Sequence, residues 1–187
     1  MIWRGPMATQ ALEQLLRQTN WGDLDYLIVD LPPGTGDIQL TLSQRVPLTG
    51  AVIVTTPQDI ALLDAKKGIK MFEKVGVPIL GIVENMAVHV CEQCGHVEHI
   101  FGEEGGKRLA AEYKVDYLGA LPLNLSIRVH ADSGRPSVVS EPDGEIYAWD
   151  PQESMVPDAM SSRFHIGNYA AERRIAVHAP LPRTGRR

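Results

Sequence analysis

The feature that most constrains this chain is an apolar run that ends in one carboxylate and a rigid turn, over residues 25–37. Residues 26–29 are apolar or aromatic, Asp30 ends the run, and Pro-Pro-Gly-Thr-Gly-Asp follows. Such a run is typical of a parallel strand that is buried on both faces. It delivers the Asp30 carboxylate to the carboxyl edge of a sheet, where α/β proteins bind their ligands. A strand can also end in Asp because Asp favours turns, but the glycine-rich continuation favours a ligand site.

The first 145 residues alternate between the periods of strands and helices. The pattern predicts strands at 25–30, 51–56, 77–83 and 117–121, and helices at 11–18, 37–46, 60–75 and 106–113. This alternation predicts an α/β fold, a mostly parallel sheet flanked by helices, in one domain over residues 1–147. Residues 148–187 show no sustained period apart from a weak helical pattern at 169–178, and we expect an irregular or poorly ordered tail.

Composition excludes several classes of protein. A formal charge of −5 argues against nucleic acid as the main partner. The apolar stretches are too short to span a membrane, and the first residues lack the apolar core of a signal peptide. Two cysteines in one Cys-x-x-Cys do not make a disulfide framework. We therefore expect a soluble, cytoplasmic protein.

The residues around Asp30 resemble one half of a nucleotide site. A carboxylate at a strand end holds Mg²⁺, often through water, and Gly34 and Gly36 let backbone N–H groups approach a phosphate. The other half, a Gly-x-x-x-x-Gly-Lys-Ser/Thr loop, does not occur in the sequence. The glycine-rich segment 102–108 has the wrong spacing and two glutamates, and we interpret it as the start of a helix. Asn85, at another strand end, is either a purine ligand or an ordinary turn residue.

Cys91 and Cys94 form the second candidate site, in a segment over residues 88–100. The spacing places two thiolates on one side of a turn, which suits a soft metal or a cluster. A homodimer with this segment on its two-fold axis would supply four thiolates. Alternatively His96 and His99, or His89, complete a zinc site within the chain, or the thiols bind nothing. No Ser-His-Asp arrangement is evident, and no catalytic residue is assigned.

Seven motifs that occur in order carry a resemblance to a known family. They are Trp3-Arg-Gly-Pro-Met7, Leu24-Asp-Tyr-Leu-Ile-Val-Asp30-Leu-Pro-Pro-Gly-Thr-Gly-Asp37, Thr55-Thr-Pro-Gln-Asp59, Glu84-Asn-Met86, Cys91-x-x-Cys94-Gly-His96, Leu118-Gly-x-Leu-Pro-Leu123 and Ala131-Asp-x-Gly134. Together they resemble the Mrp-type iron–sulfur cluster carriers, which are ParA/MinD-like P-loop ATPases. The resemblance covers roughly residues 1–145.

The resemblance implies a homodimer that binds ATP and Mg²⁺ and holds a [4Fe-4S] cluster between subunits. Cys91 and Cys94 match the cluster ligands, and the cluster is delivered to apo iron–sulfur proteins. Asp30 matches the carboxylate on the magnesium side, and Gly34 matches the switch glycine beside the γ-phosphate. Asn85 and the loop that begins at Pro122 match the adenine side.

The sequence also departs from the family pattern. The phosphate loop (Walker A) and the first switch should precede Trp3, so we expect an N-terminally truncated product with a shifted reading frame near its end. ATPase activity belongs to the family and stays open for this chain. In such folds the phosphate-loop strand lies between the Asp30 strand and the Ala51 strand. Its loss is expected to leave unpaired edges and low stability, unless these two strands close on each other or on another chain. The alternative functions are a zinc-binding interaction module and a non-functional fragment.

Overall fold

A computed structural model describes residues 5–22, 24, 26–31, 37–46, 48–140 and 175–179 of the chain. Six helices and seven strands lie in these ranges. In chain order they are α1 (Gly5–Gln18), β1 (Leu27–Leu31), α2 (Asp37–Arg45), β2 (Gly50–Thr55), α3 (Asp59–Val75), β3 (Ile79–Glu84), β4 (His89–Val90), β5 (Val97–Glu98), α4 (Gly105–Tyr113), β6 (Tyr117–Ala120), α5 (Leu125–Asp132), α6 (Ser137–Ser140) and β7 (Ile175–Ala179). The eight elements that periodicity predicts are all present, with ends that differ by a few residues at most sites.

Five strands form one sheet in the order β1-β7-β2-β3-β6. β2, β3 and β6 pair in parallel, while β7 is antiparallel to both β1 and β2. It follows that β1 points in the same direction as β2, β3 and β6. The carboxyl ends of these four strands therefore share one edge of the sheet, which we call the carboxyl edge. The predicted α/β fold with a mostly parallel sheet is confirmed.

The main core lies on one face of the sheet, under α3 and α4. Ile53 and Ile82 of the central strands pack there with Ile69 and Phe72 of α3, and all four side chains are fully buried. Helix α3 ends at Gly76, whose left-handed backbone (φ 73°) lets the N–H of the next residue, Val77, reach the carbonyl of Phe72. A smaller cluster, Val52, Val83 and Leu118, packs on the opposite face, because successive side chains of a strand alternate between faces.

The centre of the sheet differs from what the sequence predicts. β7 occupies the position between β1 and β2, and its Ala176 is in register with both Asp30 and Val52. The expectations of an irregular tail over 148–187 and of a weak helix over 169–178 therefore do not hold for Ile175–Ala179. The physical reason is that strands in the middle of a sheet need a hydrogen-bonding partner, and a distant segment can supply it. The rest of that tail lies outside the described residues.

None of the described helices combines the length and the apolar character that crossing a bilayer requires.

Candidate functional site

The carboxyl edge brings Asn85 and Pro122 onto adjoining segments. The N–H of Asn85 donates to the carbonyl of Thr55 (2.7 Å), and the N–H of Leu121 donates to the carbonyl of Glu84 (2.8 Å). The Asn85 side chain is only 7% exposed, and within the part of the chain that is described its amide group has no hydrogen-bond partner. Since buried amides are normally paired, Asn85 is a candidate for contact with a ligand at this edge.

Asp30 lies apart from this pair. It is exposed on β1. Its register partner on β7 is Ala176, and the register partner of Ala176 on β2 is Val52. Val52 lies three residues before the end of β2. With standard strand geometry, Asp30 is about 10 Å from Thr55 along the strands and about 10 Å across the sheet. The structure therefore does not bring Asp30 next to Asn85. The fourth candidate on this edge, Gly34, lies outside the described residues.

Cys91 and Cys94 lie in the turn of a short hairpin. Its strands, β4 and β5, pair antiparallel, with His89 opposite Glu98. Beyond them the N–H of Cys91 donates to the carbonyl of His96 (2.9 Å), and the N–H of Gly95 donates to the carbonyl of Cys91 (2.8 Å). Gly95 has a φ of 69°, a conformation that glycine adopts without strain and that tightens the turn. Both cysteines are free thiols, with Cys91 half-exposed and Cys94 exposed.

The turn favours the thiolate form of one cysteine. The pKa of Cys91 is lowered, chiefly by the backbone N–H of Cys94 and then by the N–H of Gln93 and the thiol of Cys94. Donors that point at a sulfur stabilise its negative charge, and the thiolate is the form that binds metals. The backbone of this turn therefore presents a sulfur at the surface in surroundings that favour its thiolate form.

The histidines that would complete a zinc site have other contacts. The Nδ1 atom of His89 lies 3.2 Å from the carbonyl of Leu123, and the Nε2 atom of His96 lies 4.0 Å from Glu98. His99 is 4.0 Å from Glu103. Nowhere in the described ranges do three His, Cys, Asp or Glu side chains come together as one metal-binding group. Within those ranges the cysteine pair is therefore not joined by a third side chain of these types.

One functional candidate, Glu84, emerges only from the structure. Its side chain is 2% exposed, and its carboxylate accepts a hydrogen bond from the N–H of Gly106 in the first turn of α4. Burial raises the pKa of Glu84, and the Gly106 N–H and the positive charge of Arg108 partly oppose that shift. The only sequence feature that points to this contact is the pair of glycines at 105 and 106. These glycines begin α4, as the interpretation of segment 102–108 as a helix start predicts.

Comparison with known proteins yields one family and several relatives. The family model described as "ParA: NUBPL iron-transfer P-loop NTPase" matches residues 1–153. An iron-sulfur cluster carrier protein of Pseudomonas fragi is 62% identical over 146 residues, which cover 78% of this chain and 51% of that protein. The protein of the same name in Escherichia coli (strain K12) is 63% identical over 148 residues, covering 79% of this chain and 40% of the relative.

More distant relatives agree with these matches. The mouse (Mus musculus) iron-sulfur cluster transfer protein NUBPL is 57% identical over 145 residues, which cover 78% of this chain and 46% of that protein. A solved structure, a nucleotide-binding protein in complex with ADP from Archaeoglobus fulgidus, superimposes with a TM-score of 0.65 at 37% identity. The superposition covers 79% of this chain and 60% of that one. The chain thus spans about half the length of the curated relatives that it matches.

Proposed function

The chain belongs to the ParA/NUBPL family of iron-transfer P-loop NTPases, and from that membership we propose that it carries an iron–sulfur cluster on Cys91 and Cys94. The observation that carries the proposal is the hairpin turn, which presents two neighbouring sulfurs at the surface and lowers the pKa of Cys91. Two thiolates that no third ligand joins among the described residues are suited to a shared cluster. The cargo is delivered to apo iron–sulfur proteins, as the names of the relatives suggest.

The cluster is a [4Fe-4S] cluster that bridges two copies of the chain. A two-fold axis at the hairpin presents the same turn twice, so that the two copies together supply four thiolates. The hairpin also carries exposed apolar side chains, Val90 (41% exposed), Val97 (46%) and Ile100 (52%), which a second copy would cover. The reducing cytoplasm, where we place this activity, keeps such thiols free.

The nucleotide part of the proposal is narrower. Asn85 and the loop at Pro122 form an adenine side, while Asp30 and Gly34 belong to the side of the Mg²⁺ ion and the γ-phosphate. The Lys and Ser/Thr of a Walker A loop, which position phosphate and metal in this class of enzyme, do not occur in the sequence. We therefore propose that the residues present here do not bind ATP tightly by themselves and do not hydrolyse it.

Anaerobic reconstitution with iron and sulfide tests the cluster proposal. We expect a broad absorbance at about 400 nm, four irons for every two chains, and a dimer by light scattering coupled to size exclusion. Cys91→Ser and Cys94→Ser should each abolish the absorbance and the dimer, whereas Ser133→Ala, at an exposed position on another segment, should keep both. A monomer that retains one zinc ion for each chain would contradict the proposal and favour a zinc-binding interaction module.

A further inference from the structure

The segment that carries the cysteines is attached to the sheet at both of its ends. We call residues 85–104, between β3 and α4, the cysteine loop. At its start, the N–H of Asn85 donates to the carbonyl of Thr55. At its far end, the N–H of Gly106 donates to the carboxylate of Glu84, a residue 22 positions earlier in the chain. The side chain of Glu84 therefore closes the base of the cysteine loop.

The two glycines at the start of α4 are needed for this attachment. A Cβ atom on Gly106 would lie 2.9 Å from the Oε2 atom of Glu84, and one on Gly105 would lie 2.7 Å from the carbonyl oxygen of Pro57. Both distances are shorter than real Cβ contacts, so the backbone of the first helical turn rests directly on Glu84 and on the turn after β2. The cysteine loop consequently returns to the sheet at one defined place.

Burying the carboxylate of Glu84 at this position costs free energy of folding. Glu84 is 2% exposed, and desolvation disfavours its charged form. The N–H of Gly106, the positive end of the helix dipole and the nearby Arg108 offset part of that cost. Buried ionisable groups with perturbed titration cluster at functional sites, because their cost is retained where a function requires them. Here the group lies at the base of the loop that holds both cysteines.

We propose that Glu84 is a positioning residue for Cys91 and Cys94. By holding the first turn of α4 against the end of β3, it fixes the direction in which the cysteine loop leaves the sheet. Two copies of the chain then present their sulfurs at the separation that one bridging cluster requires. The inference rests on the proposed function, since it assigns to Glu84 the orientation of the cluster ligands.

Three variants test the role of Glu84. Glu84→Ala removes the acceptor, Glu84→Gln keeps an amide oxygen that accepts from the Gly106 N–H, and Glu112→Ala is the matched control. The control is a glutamate near the far end of α4, outside the cysteine loop, with a side chain that is 52% exposed and pairs with Lys66 at the surface. Each protein is measured in two ways: amide hydrogen exchange by mass spectrometry, and the lifetime of the reconstituted cluster in the presence of an iron chelator.

We expect at least tenfold faster exchange in peptides of the cysteine loop of Glu84→Ala, with exchange in α3 within twofold of the parent chain. Its cluster should be lost at least fivefold faster. Glu84→Gln should restore both values to within twofold, and the control should not differ from the parent chain. Unchanged loop exchange in Glu84→Ala, or equal losses in the Gln and Ala variants, would overturn the inference.

Two further outcomes separate this inference from the proposed function. If the parent chain holds no cluster but the loop exchange follows the expected order, the cluster proposal fails and Glu84 still positions the loop. If the cluster forms and the variants lose it no faster, the positioning role fails and the carrier function stands. Should Glu84→Ala not fold, Glu84→Asp replaces it, because the shorter side chain does not reach the Gly106 N–H.

Discussion

Because β7 is the partner of both β1 and β2, a proline in β7 tests the sheet more directly than any core substitution. Ala176 is in register with Asp30 on one side and with Val52 on the other. Ala176→Pro removes a backbone N–H, and the proline ring interferes with the neighbouring strand. β1 has no other strand partner among the described residues, so its attachment to the sheet depends on this contact.

The magnitude follows from the bonds that are lost. One missing ladder hydrogen bond costs about 1 kcal/mol net, and a buried carbonyl left without a donor costs about 1–3 kcal/mol more. The total of about 2–4 kcal/mol is a large part of the ~5–15 kcal/mol by which a domain of this size is normally stable. We therefore expect the midpoint of urea unfolding to fall strongly, or the variant to be unfolded without denaturant.

Urea titration followed by circular dichroism measures this change, and hydrogen exchange locates it. The amides of Leu27–Leu31 should lose their protection first, because among the described residues β7 is the strand that pairs with β1. Ala176→Gly keeps the N–H and should cost only ~0.5–1 kcal/mol. If Ala176→Pro unfolds at the same urea concentration as the parent chain, with β1 still protected, then β7 does not hold the sheet together and the reasoning is wrong.

Four other predictions follow from the described contacts. Phe72→Ala should lower the free energy of unfolding by about 3–5 kcal/mol in the same titration, because the ring is fully buried. Gly106→Ala should lower the free energy of unfolding by about 1–3 kcal/mol, because the added methyl group would contact the Glu84 carboxylate. Gly134→Ala is its comparison: the added methyl group has no atom within 4 Å, so any loss of stability there comes from the left-handed backbone alone. Burial raises the pKa of Glu84 in the folded protein above its unfolded value of 4.5. The contribution of Glu84 to stability is therefore fully present below pH 4.5 and is lost as the pH rises through the higher folded pKa. Urea titrations from pH 4 to 8 should show that the free energy of unfolding falls less with pH in Glu84→Gln than in the parent chain. In the apo chain Cys91 should be alkylated by iodoacetamide faster than a model cysteine thiol at pH 7, and equal rates would contradict the lowered pKa.

Local sequence patterns determined most of the elements of this protein. The short apolar run over 51–56 and the helical spacing over 60–75 predict β2 and α3, because each element must bury its apolar side chains wherever it packs. The spacing of Cys91 and Cys94 likewise predicts a turn that presents two sulfurs, since four residues span one tight turn. These features depend on neighbours in the chain, and the sequence is sufficient for them.

The tertiary structure decided three features that no local pattern contains. β7 lies at the centre of the sheet, although more than a hundred residues separate it from β2 in the chain. A strand forms there because the facing edges of β1 and β2 have backbone groups that need hydrogen-bond partners. The register through β7 also separates Asp30 from the edge that holds Asn85. The burial of Glu84 depends on how closely α4 approaches β3. In each case the result depends on hydrogen bonds and packing contacts between residues that are distant in sequence. No local pattern specifies which distant residues will meet.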